Sequence, residues 1–411
     1  MENFSFASLL IISVLAFIVP IFASWIPRGL IPIAVAEIIA GMIVGRSGLD
    51  LIKAHEWLNF LSLFGAAFLM FLSGLEVNLG MLAPRSGAAG SNKRNFIENP
   101  LTAGILIFAG TFVSASLAAW LVLESRSLAH VIMTGLVLCT TSVGMVVPTL
   151  KERGLTGQRL GQTILMAAVV ADFSTMFLIT ILAGLLARND LWQLSLVLLL
   201  FVVFLVVSVA GAWLWRNGSV RRTFTTLSHA TAQIQVRGSL ALLVVFVVLA
   251  EALRAELVLA AFLAGAAISS VSREEGSVLR TKLDSIGYGF FIPIFLITVG
   301  AQFNLAALLS SRSSVLLVPL FVGIAFLVKV VPSLILRTGY SWRQTLGAGV
   351  LISARLGLII AASAIGLRLG VIDDATNSAL VLVAIVTCIV SPALFNLLLP
   401  GSSNTTAAYA R

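Results

Sequence analysis

Long apolar stretches alternate with short polar segments along the whole sequence. A helix that crosses a bilayer core of about 30 Å needs about 20 mostly apolar residues. Thirteen stretches come close to this length and predict helices at about 5–25, 31–45, 58–77, 100–123, 128–150, 160–187, 191–215, 238–252, 255–270, 285–302, 314–336, 345–367 and 376–399. We therefore predict an all-α polytopic membrane protein with about 13 transmembrane helices.

The amino-acid composition agrees with a membrane protein. Hydrophobic residues make up 59% of the 411 residues and charged residues 10%, whereas soluble domains have about 45–50% and about 25%. These values exclude a soluble enzyme, a disordered chain and a nucleic-acid-binding protein. The segments on the N-terminal side of the membrane contain 7 Lys and Arg, and those on the opposite side contain 17. Because cytoplasmic loops are enriched in basic residues, we predict an outer N-terminus and a cytoplasmic C-terminus.

Three pairs of short segments from the two halves of the chain are similar. The pairs are AEIIAG (36–41) with AAFLAG (260–265), GLEVNL (74–79) with GAQFNL (300–305), and TTSVG (140–144) with SARLG (353–357). The partners are always seven helices apart, so the two copies have opposite orientations in the membrane. This pattern is typical of transporters built from inverted repeats, whose binding site lies near the bilayer midplane.

The repeat also predicts how the chain is organised. We expect one transmembrane domain, 1–411, without a soluble regulatory domain. Its predicted parts are repeat one at about 5–187, a linking helix at 191–215, a cytoplasmic loop at 216–237 and repeat two at about 238–399.

Several ionisable residues lie inside predicted helices, and three of them are the main candidates for a functional site. A charged group at the bilayer centre costs about 2.5–3.5 kcal/mol on insertion scales, so it usually serves a function. Asp172, in the middle of the sixth helix, is the candidate cation- and proton-binding residue; a structural Asp bonded to a neighbouring helix is the alternative. Lys329, in the eleventh helix, is expected to bind an internal partner rather than extend to the interface. Arg355 lies at the centre of the twelfth helix.

Thr140, Thr141 and Ser142 occupy the position in the fifth helix that SARLG occupies in the twelfth. Hydroxyl groups followed by Gly144 and Pro148 predict that both helices are interrupted at these positions. Hydroxyl and backbone carbonyl oxygens there could ligate a cation. Alternatively, the hydroxyls bond only within their own helix.

Two glutamates are weaker candidates, for a secondary acidic site. Glu37, in the second predicted helix, is expected to face the helix bundle or a water-filled funnel. Glu76 lies at the end of the third helix, where a solvated side chain is the equal alternative.

Residues typical of metal centres and enzymes are scarce. Cys139 and Cys388 lie in apolar stretches and the three histidines are far apart, so we expect no disulfide framework, transition-metal site or cofactor. Asp172 is the only Asp in the interior of a predicted helix, which leaves no aspartyl dyad for an intramembrane enzyme. We therefore expect no catalytic residues and a transporter rather than an enzyme.

Eight segments spread over nearly the whole chain are similar to those of one known group. They are EIIAGMIVG (37–45), FLSGLEVNLGML (71–82), TTSVGMVVPTLKERGLTGQRLGQ (140–162), VVADFSTM (169–176), LAAFLAGAAIS (259–269), FFIPIFLITVG (290–300), the segment around Lys329 and ISARLGLIIA (352–361). The chain thereby resembles the cation/proton antiporter superfamily, particularly its second family, which includes bacterial Na+/H+ antiporters and K+ efflux proteins.

This resemblance implies a core domain in which the fifth and twelfth helices cross at unwound segments. The family's ion-binding carboxylate on the sixth helix matches Asp172, and its lysine on the eleventh helix matches Lys329. The resemblance also implies a homodimer, movement of the core domain against a dimerisation domain, and a location in the bacterial plasma membrane. Members usually have Asp or Asn immediately before the ion-binding Asp, whereas this chain has Ala171. Lys329 therefore lacks the acidic partner proposed for such members.

One carboxylate is sufficient for exchange. Burial disfavours the ionised form of Asp172, whereas a hard monovalent cation held by oxygen ligands stabilises that form, so proton and cation compete. The expected function is exchange of Na+, Li+ or K+ for a proton across the lipid bilayer by alternating access, electroneutral because Ala171 is uncharged. Two alternatives stay open: a proton-coupled exporter of a small organic solute, and a K+ efflux pathway on the same scaffold.

Overall fold

The computed structural model describes residues 6–25, 32–52, 55–76, 99–122, 127–188, 191–216, 233–253, 257–271, 276–309 and 312–399. Most of the predicted cytoplasmic loop and the end of the GLEVNL segment lie outside these residues. Within the described ranges the chain forms helices and connections and no β-strand, which confirms the predicted all-α class.

Seventeen α-helices are described, together with a π-helical turn at Gly287–Phe291 and a 3₁₀-helix at Leu334–Thr338. The α-helices are α1 (Ala7–Trp25), α2 (Ile33–Val44), α3 (Glu56–Glu76), α4 (Pro100–Val122), α5 (Leu128–Cys139), α6 (Val143–Glu152), α7 (Arg159–Arg188), α8 (Leu191–Arg216), α9 (Ile234–Leu253), α10 (Leu257–Val271), α11 (Gly276–Ile286), α12 (Ile292–Gln302), α13 (Leu305–Leu309), α14 (Arg312–Ser333), α15 (Trp342–Leu351), α16 (Gly357–Arg368) and α17 (Asp374–Leu398).

The helices follow the apolar stretches of the sequence. Among the described residues, nine helical segments are long and apolar enough to cross a membrane, and four shorter apolar helices accompany them. The tenth predicted helix begins earlier than expected, at Gly276, because α11 is amphipathic. On its exposed side Arg280 and Asp284 form an ion pair at 3.7 Å. Ion pairs four residues apart stabilise helices, but the charged residues lower the local hydropathy from which the helix was predicted.

The fifth and twelfth predicted helices are both interrupted, as the hydroxyl and glycine pattern predicts. The first interruption covers 140–142, between α5 and α6, and the second covers 352–356, between α15 and α16. Helix ends leave backbone carbonyl and N–H groups without helical partners. Each interruption therefore exposes polar backbone groups in an otherwise apolar interior.

The chain divides into two compact units. Unit 1 comprises Met1–Ala88, Met176–Val315 and Ile360–Ser378. Within it, α2 packs against α1 and α12, and α3 packs against α10 and α12.

Glycine contacts within unit 1 follow the sequence repeat. A Cβ atom added to Gly300 of α12 would overlap the Ile38 carbonyl of α2, and one added to Gly41 would overlap the Ile297 carbonyl of α12. Only glycine permits backbones to approach so closely. The α2–α12 contact therefore depends on Gly41 and Gly300.

The same arrangement recurs between α3 and α10. A Cβ atom on Gly74 would overlap the Phe262 carbonyl, and one on Gly265 would overlap the Phe71 carbonyl. In both contacts the overlapped carbonyl lies three residues before the partner glycine. The sequence pairs Gly41 with Gly265 and Gly74 with Gly300, so the two contacts are related as the repeat predicts.

Unit 2 comprises Ala89–Thr175, Leu316–Ile359 and Ala379–Arg411. Helix α4 packs against α5, and an apolar cluster joins α4, α6, α7 and α15 through Ile107, Val146, Ile164 and Leu351. This unit contains both interruptions and the first half of α7.

Candidate functional site

The interruption after α5 leaves the C-terminal end of that helix inside unit 2. The last residue of α5 is Cys139, and Thr140 leaves the helix with φ −55° and ψ 153°. The Thr140 hydroxyl donates to the Val137 carbonyl at 2.7 Å, which satisfies one carbonyl of the last turn. The Thr140 hydroxyl therefore bonds to the preceding helix, and its role as a cation ligand stays a prediction.

Lys329 binds this helix end. Its side chain is 1% exposed, and its Nζ atom donates to the Cys139 carbonyl at 2.6 Å and to the Thr141 hydroxyl at 2.8 Å. A cation at a helix C-terminus is stabilised by the negative partial charge of the final carbonyls. The expectation of an internal partner for Lys329 is confirmed, and the partner is a helix terminus and a hydroxyl.

Arg355 lies in the second interruption and is completely buried. One guanidinium nitrogen, Nη2, donates to the Ala325 carbonyl of α14 at 2.7 Å. The Arg355 carbonyl in turn accepts a hydrogen bond from the Cys388 thiol of α17 at 3.0 Å. Within the described part of the chain, the Nε and Nη1 atoms have no acceptor.

Asp172 lies near the middle of α7 and is 6% exposed. Ala168 and Thr175, about one helical turn away on either side, are completely buried, so this face of α7 lies in the interior. The preceding residue, Ala171, is also buried and adds no charge beside the carboxylate.

The three buried ionisable side chains of unit 2 belong to one electrostatic group. Lys329 interacts electrostatically with Asp172 and with Arg355. Ala325, which binds Arg355, precedes Lys329 by one turn of α14. Lys329 thus joins the first interruption to this group through its hydrogen bonds, and the functional roles of Asp172, Lys329 and Arg355 stay predictions.

The three hydroxyl residues of the first interruption have different environments. The Thr141 hydroxyl already accepts a bond from the Lys329 ammonium, which would repel a second cation on the same oxygen. Ser142 is half-buried, and its carbonyl accepts from the Met145 and Val146 N–H groups at the start of α6. Their roles as cation ligands stay predictions.

The two glutamates belong to unit 1. Glu37 is 4% exposed in α2, which agrees with a side chain that faces the bundle. Glu76 is the last residue of α3, and its side chain lies outside the described part. The described residues contain no group of three or more His, Cys, Asp and Glu that could hold a metal ion.

Three contributors to the site cannot be read from the sequence. The Cys139 and Ala325 carbonyls are backbone atoms, and every residue type carries the same carbonyl group. The Cys388 thiol lies in an apolar stretch, where a buried cysteine usually packs as a small hydrophobic side chain. A search for polar residues therefore misses all three.

Comparisons with known proteins agree with the resemblance. The family described as sodium/hydrogen exchanger, transmembrane, matches residues 13–399. YjbQ of Bacillus subtilis, whose name assigns it provisionally to the Na+/H+ antiporters, is 35% identical over 407 residues, which are 96% of this chain and 63% of YjbQ. The Na+/H+-K+ antiporter GerN of Bacillus cereus is 27% identical over 372 residues, 88% of each protein.

Solved structures give the same result for the fold. The structure of the sodium proton antiporter MjNhaP1 from Methanocaldococcus jannaschii at pH 8 aligns over 96% of both chains with a TM-score of 0.60 and 14% identity. The two chains therefore share a fold. The present chain spans less than two thirds of the length of YjbQ.

Proposed function

Because the chain belongs to the sodium/hydrogen exchanger family, we propose that it exchanges a monovalent cation for a proton across the membrane, at Asp172. The observation that supports this proposal most directly is the burial of one carboxylate in α7 together with a helix interruption and two basic side chains in the same unit. Na+, with Li+ and K+ as further candidates, is the proposed cation.

Competition for Asp172 couples the two fluxes in this proposal. A proton or a cation neutralises the carboxylate, whereas an empty ionised carboxylate is costly to carry through a dry barrier. The protein then changes readily between its outward-open and inward-open conformations only when Asp172 holds a proton or a cation. Carbonyl oxygens at the interruptions and the Ser142 hydroxyl are the proposed additional ligands, since a hard cation prefers oxygen.

Lys329 and Arg355 have a structural and electrostatic role in this proposal. Both are bound to backbone carbonyls, so they stabilise the interrupted segments. With Ala171 beside Asp172, a single carboxylate exchanges its ligand in each cycle. We therefore propose an electroneutral stoichiometry of one cation for one proton.

The proposal extends to the whole protein in the cell. The protein would act as a homodimer in a bacterial plasma membrane, with its N-terminus outside and its C-terminus in the cytoplasm. The basis is the family resemblance and the uneven distribution of Lys and Arg between the predicted loops.

The test is transport by purified protein in liposomes that contain a pH-sensitive dye, challenged with Na+, Li+ and K+ in turn. The wild-type protein should release protons in response to at least one cation, and Asp172→Asn should abolish this response. Asp374→Asn is the matched control, because Asp374 is exposed in the first turn of α17, and it should transport at the wild-type rate. Normal cation-driven proton flux in Asp172→Asn would contradict the proposed site.

The same preparation separates the alternatives. No response of the wild-type protein to any alkali cation would favour export of an organic solute. K+ current without proton counterflow would favour a K+ efflux pathway.

A further inference from the structure

Glu37 is a buried carboxyl group of unit 1 that takes part in none of the contacts described above. It is the fifth residue of α2, and only 4% of its surface is exposed. No residue in the described ranges forms a hydrogen bond or an ion pair with its side chain. Burial without such a partner strongly disfavours an ionised carboxyl.

The helices of unit 1 that pack most extensively against α2 offer Glu37 no compensating charge in their described residues. Among the described residues, α1 and α12 are the helices with extensive contacts to α2. Neither helix carries an ionisable side chain, and Glu37 is the only such residue of α2. Glu37 therefore finds no counter-charge on α1, α2 or α12.

The internal repeat shows that helix packing does not require a carboxyl here. The glycine contacts align Gly41 with Gly265 residue by residue, so Glu37 corresponds to Ala261. Ala261 is completely buried in α10, and α10 packs against α3 through the same glycine arrangement. A second copy of the same contact thus forms with a methyl group at the equivalent position.

We propose that Glu37 is a second proton-binding site, which holds its proton in the conformation described here and releases it only in a conformation that admits water to α2. Protons then stabilise the conformation described here, because a ligand shifts an equilibrium toward the state that binds it better. Under the proposed function, on which this step rests, Glu37 sets part of the pH dependence of transport. Its proton does not take part in the exchange at Asp172.

Infrared spectroscopy of the purified wild-type protein in lipid tests the protonation directly, without any transport. The carbonyl-stretch region should contain a band from a protonated carboxyl that disappears in Glu37→Gln and persists in Asp172→Asn. Glu251→Gln is the matched control, because Glu251 is exposed on α9, and it should leave the band unchanged. The Glu37→Ala variant should fold, because the repeat-related helix contact forms with Ala261 at this position, and it should also lack the band.

A spectrum of Glu37→Gln or Glu37→Ala that keeps every protonated-carboxyl band would overturn the proposal. The pH profile of cation-driven transport is the second readout, and Glu37→Gln should shift its midpoint relative to the wild-type and Glu251→Gln profiles. Coincidence of the three profiles would overturn the role in pH dependence. If the wild-type protein fails to exchange cations, the proposed function fails, whereas the infrared band still tests Glu37.

Discussion

At the scale of single residues, the buried basic side chains act on the backbone. Lys329 binds the last carbonyl of α5, and Arg355 binds a carbonyl of α14. Although Ala171 supplies no acidic group beside Asp172, Lys329 has a partner, because it binds a helix terminus. A helix terminus can do so because its final carbonyls lack helical donors and carry negative partial charge.

This arrangement predicts a graded loss of stability at Lys329. Lys329→Met removes the donor to the Cys139 carbonyl and the Thr141 hydroxyl, and a buried acceptor left without a donor costs about 1–3 kcal/mol. Lys329→Gln keeps an N–H donor and should lose less. Thermal unfolding in detergent should therefore rank the melting temperatures as wild type, Lys329→Gln and then Lys329→Met. Equal melting temperatures for all three would show that the contact to α5 contributes nothing to stability.

At the scale of helices, close backbone contacts define unit 1. The α2–α12 and α3–α10 contacts use glycines at repeat-related positions. The driving force in a bilayer is close packing rather than exclusion of water, so one methyl group at such a contact has a large effect. The repeat is therefore visible in the packing as well as in the sequence.

Two alanine substitutions test this packing. Gly300→Ala places a methyl group against the Ile38 carbonyl, and overpacking of this kind costs about 1–3 kcal/mol. Gly323→Ala in α14 is the matched control, because no heavy atom of the described residues lies within 4 Å of its added Cβ. It should be neutral or stabilising by about 0.5–1 kcal/mol, the usual gain of Ala over Gly in a helix. Equal melting temperatures for the two variants would contradict the close contact.

At the scale of the whole molecule, the family, the all-α fold and the membrane location are shown by the comparisons and the helices. The coupling mechanism concerns charge movement, which the fold alone does not determine. One carboxylate exchanging one cation for one proton moves no net charge in a complete cycle. A second carboxylate that carried a proton in each cycle would make transport sensitive to voltage.

An imposed membrane potential tests this stoichiometry in liposomes. The initial rate of cation-driven proton flux should be the same at zero potential and at an inside-negative potential, which is set by an outward gradient of a cation other than the transported one and an ionophore selective for it. Ala171→Asp is the informative variant, because it places a second acidic residue beside Asp172. If that residue carries a proton in each cycle, the transport rate should become sensitive to the membrane potential. A wild-type rate that changes with potential would refute electroneutral exchange.

The sequence alone determined the membrane class, the positions of the helices, both interruptions, the repeat and the buried residues Asp172, Lys329 and Arg355. These properties depend on local hydropathy and on residue types that are costly in a bilayer, so they can be read without coordinates. Only the tertiary structure decided that Lys329 binds the Cys139 carbonyl, that the Thr140 hydroxyl bonds to the last turn of α5, and that α1 and α12, which pack against the helix of Glu37, carry no charge in their described residues. Such contacts depend on which backbone atoms and helix faces meet, and residue type does not specify that.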